Sequence, residues 1–480
     1  MLSRGRETGI LVALTLAAFP YVVASAFFAI ALPKFEVLYS VDASAATWLL
    51  TGFLLVSAVT TPIAGRLGDQ YGRVRVMTGT LALVTIGSVL SATAGTFEML
   101  LIGRLLQGFT ACSLALGLGI VRERFAPERV RYGIGVLSAI WGVGTALSYL
   151  IVGPIVNGLG YEWLSWMVTV LAVLAIITTI GIIGLAKHPE SRGGSADFLG
   201  GALFLIAVGG LLLYISQGRT WHWFSGTELG LLAAVVVAFV LFWLWEKRAA
   251  APMVDFDILK RRQIMAVNII GFLSGLGVFE SGLLIPQILE LPRNIGWTFG
   301  YGVTEVGFTF LPMSIAIVLC GLLSGPLLRK ISAKQLLAIA MFMQFICYFG
   351  LALLHNHVVL IAVWLVFGGA GFGFVVACFA NLVFGAVDLK DSTAAAGINQ
   401  LLRQGGGTLA QQITGAILAA SAIDAAHRIP SEGGWQAAAY MAAGVYLIGF
   451  LLTPLVPKPR QDNETDSEDE HVLSNNGSGA

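Results

Sequence analysis

The feature that most limits what this chain can become is a set of apolar runs about 20 residues long, the length a helix needs to cross ~30 Å of hydrocarbon. They fall at about 9–32, 46–65, 76–96, 99–121, 133–158, 163–186, 198–216, 227–245, 264–289, 304–328, 335–354, 358–386, 394–423 and 435–456. Long uninterrupted runs fit helices and not the alternating strands of a membrane barrel, so the expected fold is all-α with fourteen spans. Composition points the same way. Hydrophobic residues make up 57% of the 480 and charged residues 11%, with mean hydropathy +0.83, far from soluble usage.

The 28 Lys and Arg set an orientation. Only Lys34, Arg219, Arg293 and Arg428 fall in one set of alternate loops, and Arg104 and Arg403 lie within spans. The rest flank the other helix ends, which the positive-inside rule reads as cytoplasmic, with both termini inside. Two longer stretches on that side, Lys187–Asp197 and the basic, amphipathic Lys247–Gln263, bracket the seventh and eighth spans. The expected organisation is a six-helix bundle (1–190), an inserted helix pair (191–250), a second six-helix bundle (251–460) and a disordered acidic cytoplasmic tail (461–480).

Catalytic signatures are missing. There is no GxxxxGK[ST], HExxH, GxSxG or GxGxxG, and no Cys/His cluster with metal spacing. Neither an enzyme nor a cofactor or metal is expected, and energy for any work must come from a gradient or another subunit. Cys112, Cys320, Cys347 and Cys378 all fall within spans, so they read as small packing residues. His188, His222, His355, His357 and His427 sit at expected helix ends or loops and read as interfacial or solvated.

The strongest motif lies between the second and third spans: Gly65-Arg66-Leu67-Gly68-Asp69-Gln70-Tyr71-Gly72-Arg73-Val74-Arg75. Glycines at that spacing permit a sharp, closely packed turn. Asp69 can pair with Arg73 or accept from a neighbouring helix N-terminus. The combination resembles the loop signature of the major facilitator superfamily, in which the Asp contributes to a cytoplasmic latch between two halves. Leu101-Ile-Gly-Arg104-Leu-Leu-Gln107-Gly108 is similar to the family's fourth-helix motif, whose Arg is implicated in proton transfer in exporters. Gly144, Gly153 and Pro154 partly match the fifth-helix antiporter motif, although Tyr149 and Asn157 replace two of its glycines. Kinking and close helix contact are the alternative account of such residues, with export the favoured one. Ala31-Leu32-Pro33, Asp197-Phe-Leu-Gly200 and Asn399-Gln400-Leu-Leu-Arg403-Gln404-Gly-Gly-Gly resemble the fourteen-helix drug:proton antiporters. That group usually carries an acid nine residues before the Pro, where this chain has Ala24.

Glu280 is mid-span and, on this reading, the one carboxylate set deep in the membrane. A charge there costs at least ~2.5 kcal/mol, which makes it a functional candidate. It reads as the proton carrier together with Arg104, or as a structural carboxylate paired with Arg403 or polar helix neighbours. Gly325-Pro-Leu-Leu-Arg329-Lys330 is a worn counterpart of the first loop, consistent with an internal repeat. Gly271/Gly275, Gly321/Gly325 and Gly369/Gly373 read as close-approach points between helices.

The resemblance implies a secondary active exporter working by alternating access, a monomer in the inner (plasma) membrane with no nucleic-acid partner. Its expected cargo is an amphipathic drug, antibiotic or secondary metabolite exchanged for H+. Candidate cavity residues are Gln287, Asn381, Asn399, Gln400, Arg403 and Gln404, with Gln344, Gln411 and Gln412 as further buried polar groups. Among aromatics, Trp48, Trp141, Phe279, Tyr348 and Phe372 are weaker candidates. Two arginines against one buried acid leave open an anionic or zwitterionic cargo such as a siderophore. A receptor that has lost the transport cycle is a third reading.

Overall fold

The computed structural model describes residues 4–184, 197–218, 221–249, 252, 259–260, 262–384, 392–423 and 429–456, and within its helices the side chains of some residues are not described. The expectations for Lys187–Ala196, the acidic tail and the side chains of Asp69, Trp141 and Asn381 fall outside that description. The described chain is helical almost throughout. In order the helices are α1 (Arg4–Ile30), α2 (Leu32–Leu38), α3 (Ala43–Tyr71), α4 (Arg73–Ala92), α5 (Phe97–Gln107), α6 (Ala111–Arg124), α7 (Pro127–Leu159), α8 (Glu162–Thr178) and α9 (Phe198–Gln217). They continue as α10 (Gly226–Glu246), α11 (Arg262–Val278), α12 (Ser281–Glu290), α13 (Val303–Leu328), α14 (Ala333–Leu353), α15 (Val358–Phe384), α16 (Ser392–Ala420) and α17 (Glu432–Leu452).

Helix starts follow local chemistry. The side chains of Asp42, Thr96, Asp197, Ser225 and Ser431 each accept from a backbone N–H in the first turn, and Ser332 with Gln335 forms a full capping box. Gly72, with φ of 95°, reverses the chain between α3 and α4 in a region that disfavours side chains.

Twelve spans are long and apolar enough to cross a membrane among the described residues. α7 and α16 are not among them. In α7 only Val143–Leu159 stands out as an apolar stretch, and α16 carries Asn399, Gln400, Arg403, Gln404, Gln411 and Gln412 within 29 residues. Two expected spans are also less regular than the sequence suggested. The first ends at Ile30 and continues as the separate α2, and the span over 264–289 breaks at Phe279–Glu280.

α1 to α8 pack together, as do α11 to α17. The two bundles meet along two main seams, α3 against α16 and α7 against α13, while the α9–α10 pair lies against α3 and α16 and is the least buried part of the helical body. Small residues set the closest crossings. A Cβ on Gly275 would fall 1.9 Å from the Arg403 carbonyl oxygen, and one on Gly406 would fall 2.3 Å from that of Phe272, so α11 and α16 touch backbone to backbone. Gly369 and Gly373 do the same against Met313 and Ile317 on α13, but a Cβ at Gly321 or Gly325 would meet nothing within 4 Å. The Gly321 backbone nonetheless belongs to that crossing, 3.0 Å from where a Cβ on Gly373 would be, whereas Gly325 makes no such approach. His355 departs from the solvated reading: it is buried, 3.0 Å from a Glu432 oxygen.

Candidate functional site: a central cavity between the bundles

A cavity of about 90 Å³ lies between the bundles. Ser25, Phe53, Arg104, Thr145 and Tyr149 line it from one side, and Phe279, Ser281, Met313, Phe372 and Gln411 from the other. Sites that hold drug-sized ligands measure roughly 300–1,000 Å³. This conformation is a contracted one, and a cargo of that size needs the bundles to part.

Glu280 sits at the break between α11 and α12, fully buried, flanked by the cavity-lining Phe279 and Ser281. Interrupting a helix inside a membrane frees backbone groups that need partners, and this break supplies them. The Tyr348 hydroxyl donates to the Gly277 carbonyl at 2.7 Å and accepts from the Ser281 N–H at 3.0 Å. Gln411 Nε2 donates to the Phe279 carbonyl at 3.1 Å, and the Tyr446 hydroxyl to that of Ser274 at 3.3 Å. Gly277 admits the Tyr446 ring, which stands 1.9 Å from where a Cβ would be. The carboxylate itself is given little. Both of its oxygens are buried with no charged partner among the described residues, and the Thr414 hydroxyl is the polar side chain set beside them as a donor.

Arg104 is treated in the opposite way. Its Nε donates to the Leu49 carbonyl at 3.0 Å, and Nη1 to Gln107 Oε1 at 2.6 Å and to the Ala24 carbonyl at 3.3 Å. Its guanidinium lies 3.9 Å from the centre of the Phe28 ring and 4.5 Å from that of Phe53. A backbone carbonyl at Ala24 thus meets the cation at the position where the resembled antiporters carry a carboxylate. Only Nη2 is left without a partner.

The remaining expected residues divide. Arg403 donates to Gln400 within its own helix and forms no ion pair with Glu280, so of the two pairings expected for that carboxylate the one with Arg403 is not made, and Thr414 is the polar helix neighbour beside it. Asn399 donates to Asn268 at 3.0 Å. Gln404 is buried with Oε1 unbonded. Asn399, Gln400, Arg403 and Gln404 do not line the cavity. Gln287 leaves the expected cavity set too: its amide donates to Glu36 at 2.8 Å, beyond the cavity. Tyr348 holds the helix break instead of lining the cavity, and Trp48 donates to Ser216 on α9. Gln411, Phe279 and Phe372 do line it. Gln412 joins the bundles, donating to the Ser44 carbonyl and accepting from Thr51, both at 3.2 Å.

The expected loop is in fact the end of α3 and the start of α4 with only Gly72 between them; there a Cβ on Gly68 would fall 2.7 Å from Leu116, and Gly65 has open space. Arg73 donates to the Gly119 carbonyl and lies 3.7 Å from a Glu123 oxygen, an acid on α6 that the motif alone did not single out. Gly144 and Gly153 let α7 serve both bundles. A Cβ on the first would meet Phe19 and Val22 of α1 at 3.2 Å, and on the second Thr304 of α13 at 2.2 Å, whereas Pro154 faces outward. Sequence reasoning also missed the buried Glu36 and Glu290, which it placed only at helix ends.

A helical membrane body with a small, mostly apolar cavity carrying a few polar groups between two bundles, closed along paired helix seams, is the build of a membrane carrier. Residues 14–411 match the family model of the Major Facilitator Superfamily, and the chain belongs to that family of transporters, multi-pass proteins of the cytoplasmic membrane and not enzymes. It is 27% identical to Multidrug resistance protein 3 of Bacillus subtilis over 77% of this chain and 72% of that one. To the Tetracenomycin C resistance and export protein of Streptomyces glaucescens it is 25% identical, covering 91% and 81%. To the Multidrug export protein EmrB of Escherichia coli it is 24% identical, covering 84% and 78%. Among solved structures, an auto-inhibited POT-family peptide transporter superposes with a TM-score of 0.67 at 13% identity, covering 96% of this chain and 98% of that one, a likeness of fold.

Proposed function

We propose that this protein is a secondary active exporter that moves amphipathic organic molecules out of the cell in exchange for protons. The observation that carries the reading is Glu280: a buried carboxylate with no charged partner among the described residues, at a helix break beside the cavity, next to residues that cargo would touch. An unpaired buried charge costs several kcal/mol. A proton removes that cost, and cargo or water reaching the cavity restores it, so the two occupy the site in turn. The names of the multidrug and tetracenomycin exporters favour this cargo class.

On this reading α7 and α16 complete fourteen spans, the face bearing Arg4 and the Gly65–Arg75 loop is cytoplasmic, and the chain divides at 1–190, 191–250 and 251–460 with the tail 461–480. The protein works as a monomer. Asp69 latches the cytoplasmic side, so Asp69→Asn loses charge-assisted bonds of about 1.5–3 kcal/mol and shifts the balance toward inward-open. Unchanged spectroscopic distances across that side, with normal transport, would remove the latch.

A second cargo class has support of its own in Arg104 Nη2, unpartnered at the cavity wall and able to receive a carboxylate. Proteoliposomes under an imposed pH gradient test both. A lipophilic cationic dye is expected to move uphill faster than a carboxylate-bearing fluorophore, the reverse order would select the anionic class, and binding of either without flux would leave a receptor.

A further inference from the structure

Beyond the cavity, on the face opposite the basic loops, α2 of the first bundle packs on α12 of the second. Three acceptor-rich side chains meet there. Gln287 Nε2 donates to Glu36 Oε1 at 2.8 Å, joining the two bundles, and Glu290 lies one turn further along α12. Gln287 is fully buried, Glu36 is 8% exposed and Glu290 is 7% exposed. Three of their oxygens are sealed without a hydrogen-bond donor: Gln287 Oε1 and both oxygens of Glu290. A buried acceptor left unmatched costs roughly 1–3 kcal/mol, more when charged.

The surroundings supply little. Lys34 and Asp42 act on the two acids electrostatically, and Lys34 is itself exposed. Tyr161 approaches Glu290 from the α7–α8 turn, and Arg293 is spent on the Phe299 carbonyl. Of the acids that begin neighbouring helices, Glu305 stands over Gly302, and Glu432 is bonded to His355.

We propose that Glu36, Gln287 and Glu290 form a proton-binding clamp, separate from the transport cavity, that holds this face of the protein shut when protonated and releases it when the two carboxylates ionise. An O–H placed on either acid supplies the donor that the sealed oxygens lack. Removing it leaves two like charges facing each other across the seam, in a setting where their repulsion is poorly screened. Burial pushes Glu36 up to about 8, partly offset by the Gln287 donation and reinforced by Asp42. In an open state, exposed to water, the same acid returns to its ordinary value of 4.5. Closure is therefore fully supported below the ordinary value and is lost as pH rises toward about 8, by up to tenfold per pH unit for each proton. The clamp needs neither cargo nor a gradient to act.

Spin labels on Val37→Cys and Asn294→Cys, exposed positions on α2 and just beyond α12, read the opening of this face. In nanodiscs without cargo, the short-distance population is expected to dominate at acid pH and to give way to a longer one as pH rises through 8. Glu36→Gln with Glu290→Gln should hold the short distance at every pH. Glu280→Gln should leave the transition in place, which separates the clamp from the cavity acid. A transition that vanishes in Glu280→Gln but survives the double substitution would overturn the proposal. So would a distance that ignores pH, or one that responds only to added Na+ or Ca2+ at fixed pH. Retained dye binding by the double variant shows that it is folded.

Discussion

Arg104 in the first bundle and Glu280 in the second are the two charges nearest the cavity, and the fold provides for them in opposite ways. The arginine receives two backbone carbonyls, a glutamine oxygen and two aromatic faces. The glutamate has only the Thr414 hydroxyl beside it among the described residues, although the backbone on either side of it is bonded with care. A permanent cation in the membrane can be stabilised only by fixed dipoles and π faces. A carboxylate has another option, because a proton can satisfy it and later leave. The difference suggests that Arg104 is held in place while Glu280 is kept available.

The largest test of that contrast is Glu280→Gln, which keeps shape and removes the titration. It is expected to abolish pH-driven uphill transport while leaving folding and downhill exchange intact, as measured by flux in proteoliposomes with and without a pH gradient. Robust gradient-driven export by this variant would place the coupling elsewhere.

Arg104→Lys should come next. The charge survives, but the planar fork that reaches Leu49, Ala24 and Gln107 does not, and losing one or two charge-assisted bonds costs about 1.5–3 kcal/mol each. A lower melting temperature together with slower transport is expected. If stability were unchanged, Arg104 would not be the fixed partner in the comparison.

Tyr348→Phe is more local. It removes the hydroxyl that bridges Gly277 and Ser281, a loss of about 1–3 kcal/mol per unmet buried group. Amide exchange at Ser281 is expected to quicken before the rest of α12 is affected. An unchanged rate would mean that the break is held by Gln411 and Tyr446 alone.

The smallest effect is expected from Arg403→Lys. Because Arg403 bonds within α16 and lies off the cavity wall, cationic and anionic probes should be slowed equally and slightly. A selective loss of anion transport would bring Arg403 into the cargo site after all.

Much of the fold can be read along the chain, since span length and periodic apolarity are local properties. A 20-residue apolar run has few stable alternatives in a bilayer, and the loop Gly65–Arg73, the Arg104 motif and the α7 glycines lie on contiguous segments whose spacing survives folding. Glu280 was likewise identifiable, because a lone acid inside an apolar run stands out without any knowledge of its neighbours. What the acid meets could not be read in this way. That Arg403 turns to Gln400, that Gln287 crosses to Glu36, and that the Ala24 carbonyl serves Arg104 all depend on which helix faces come together between residues far apart in sequence. The helix break at Glu280 belongs with these. Gly277, Ser281-Gly282 and Pro286 loosen the chain around it, but it persists because Tyr348 and Gln411, from two other helices, bond the backbone groups that the break sets free.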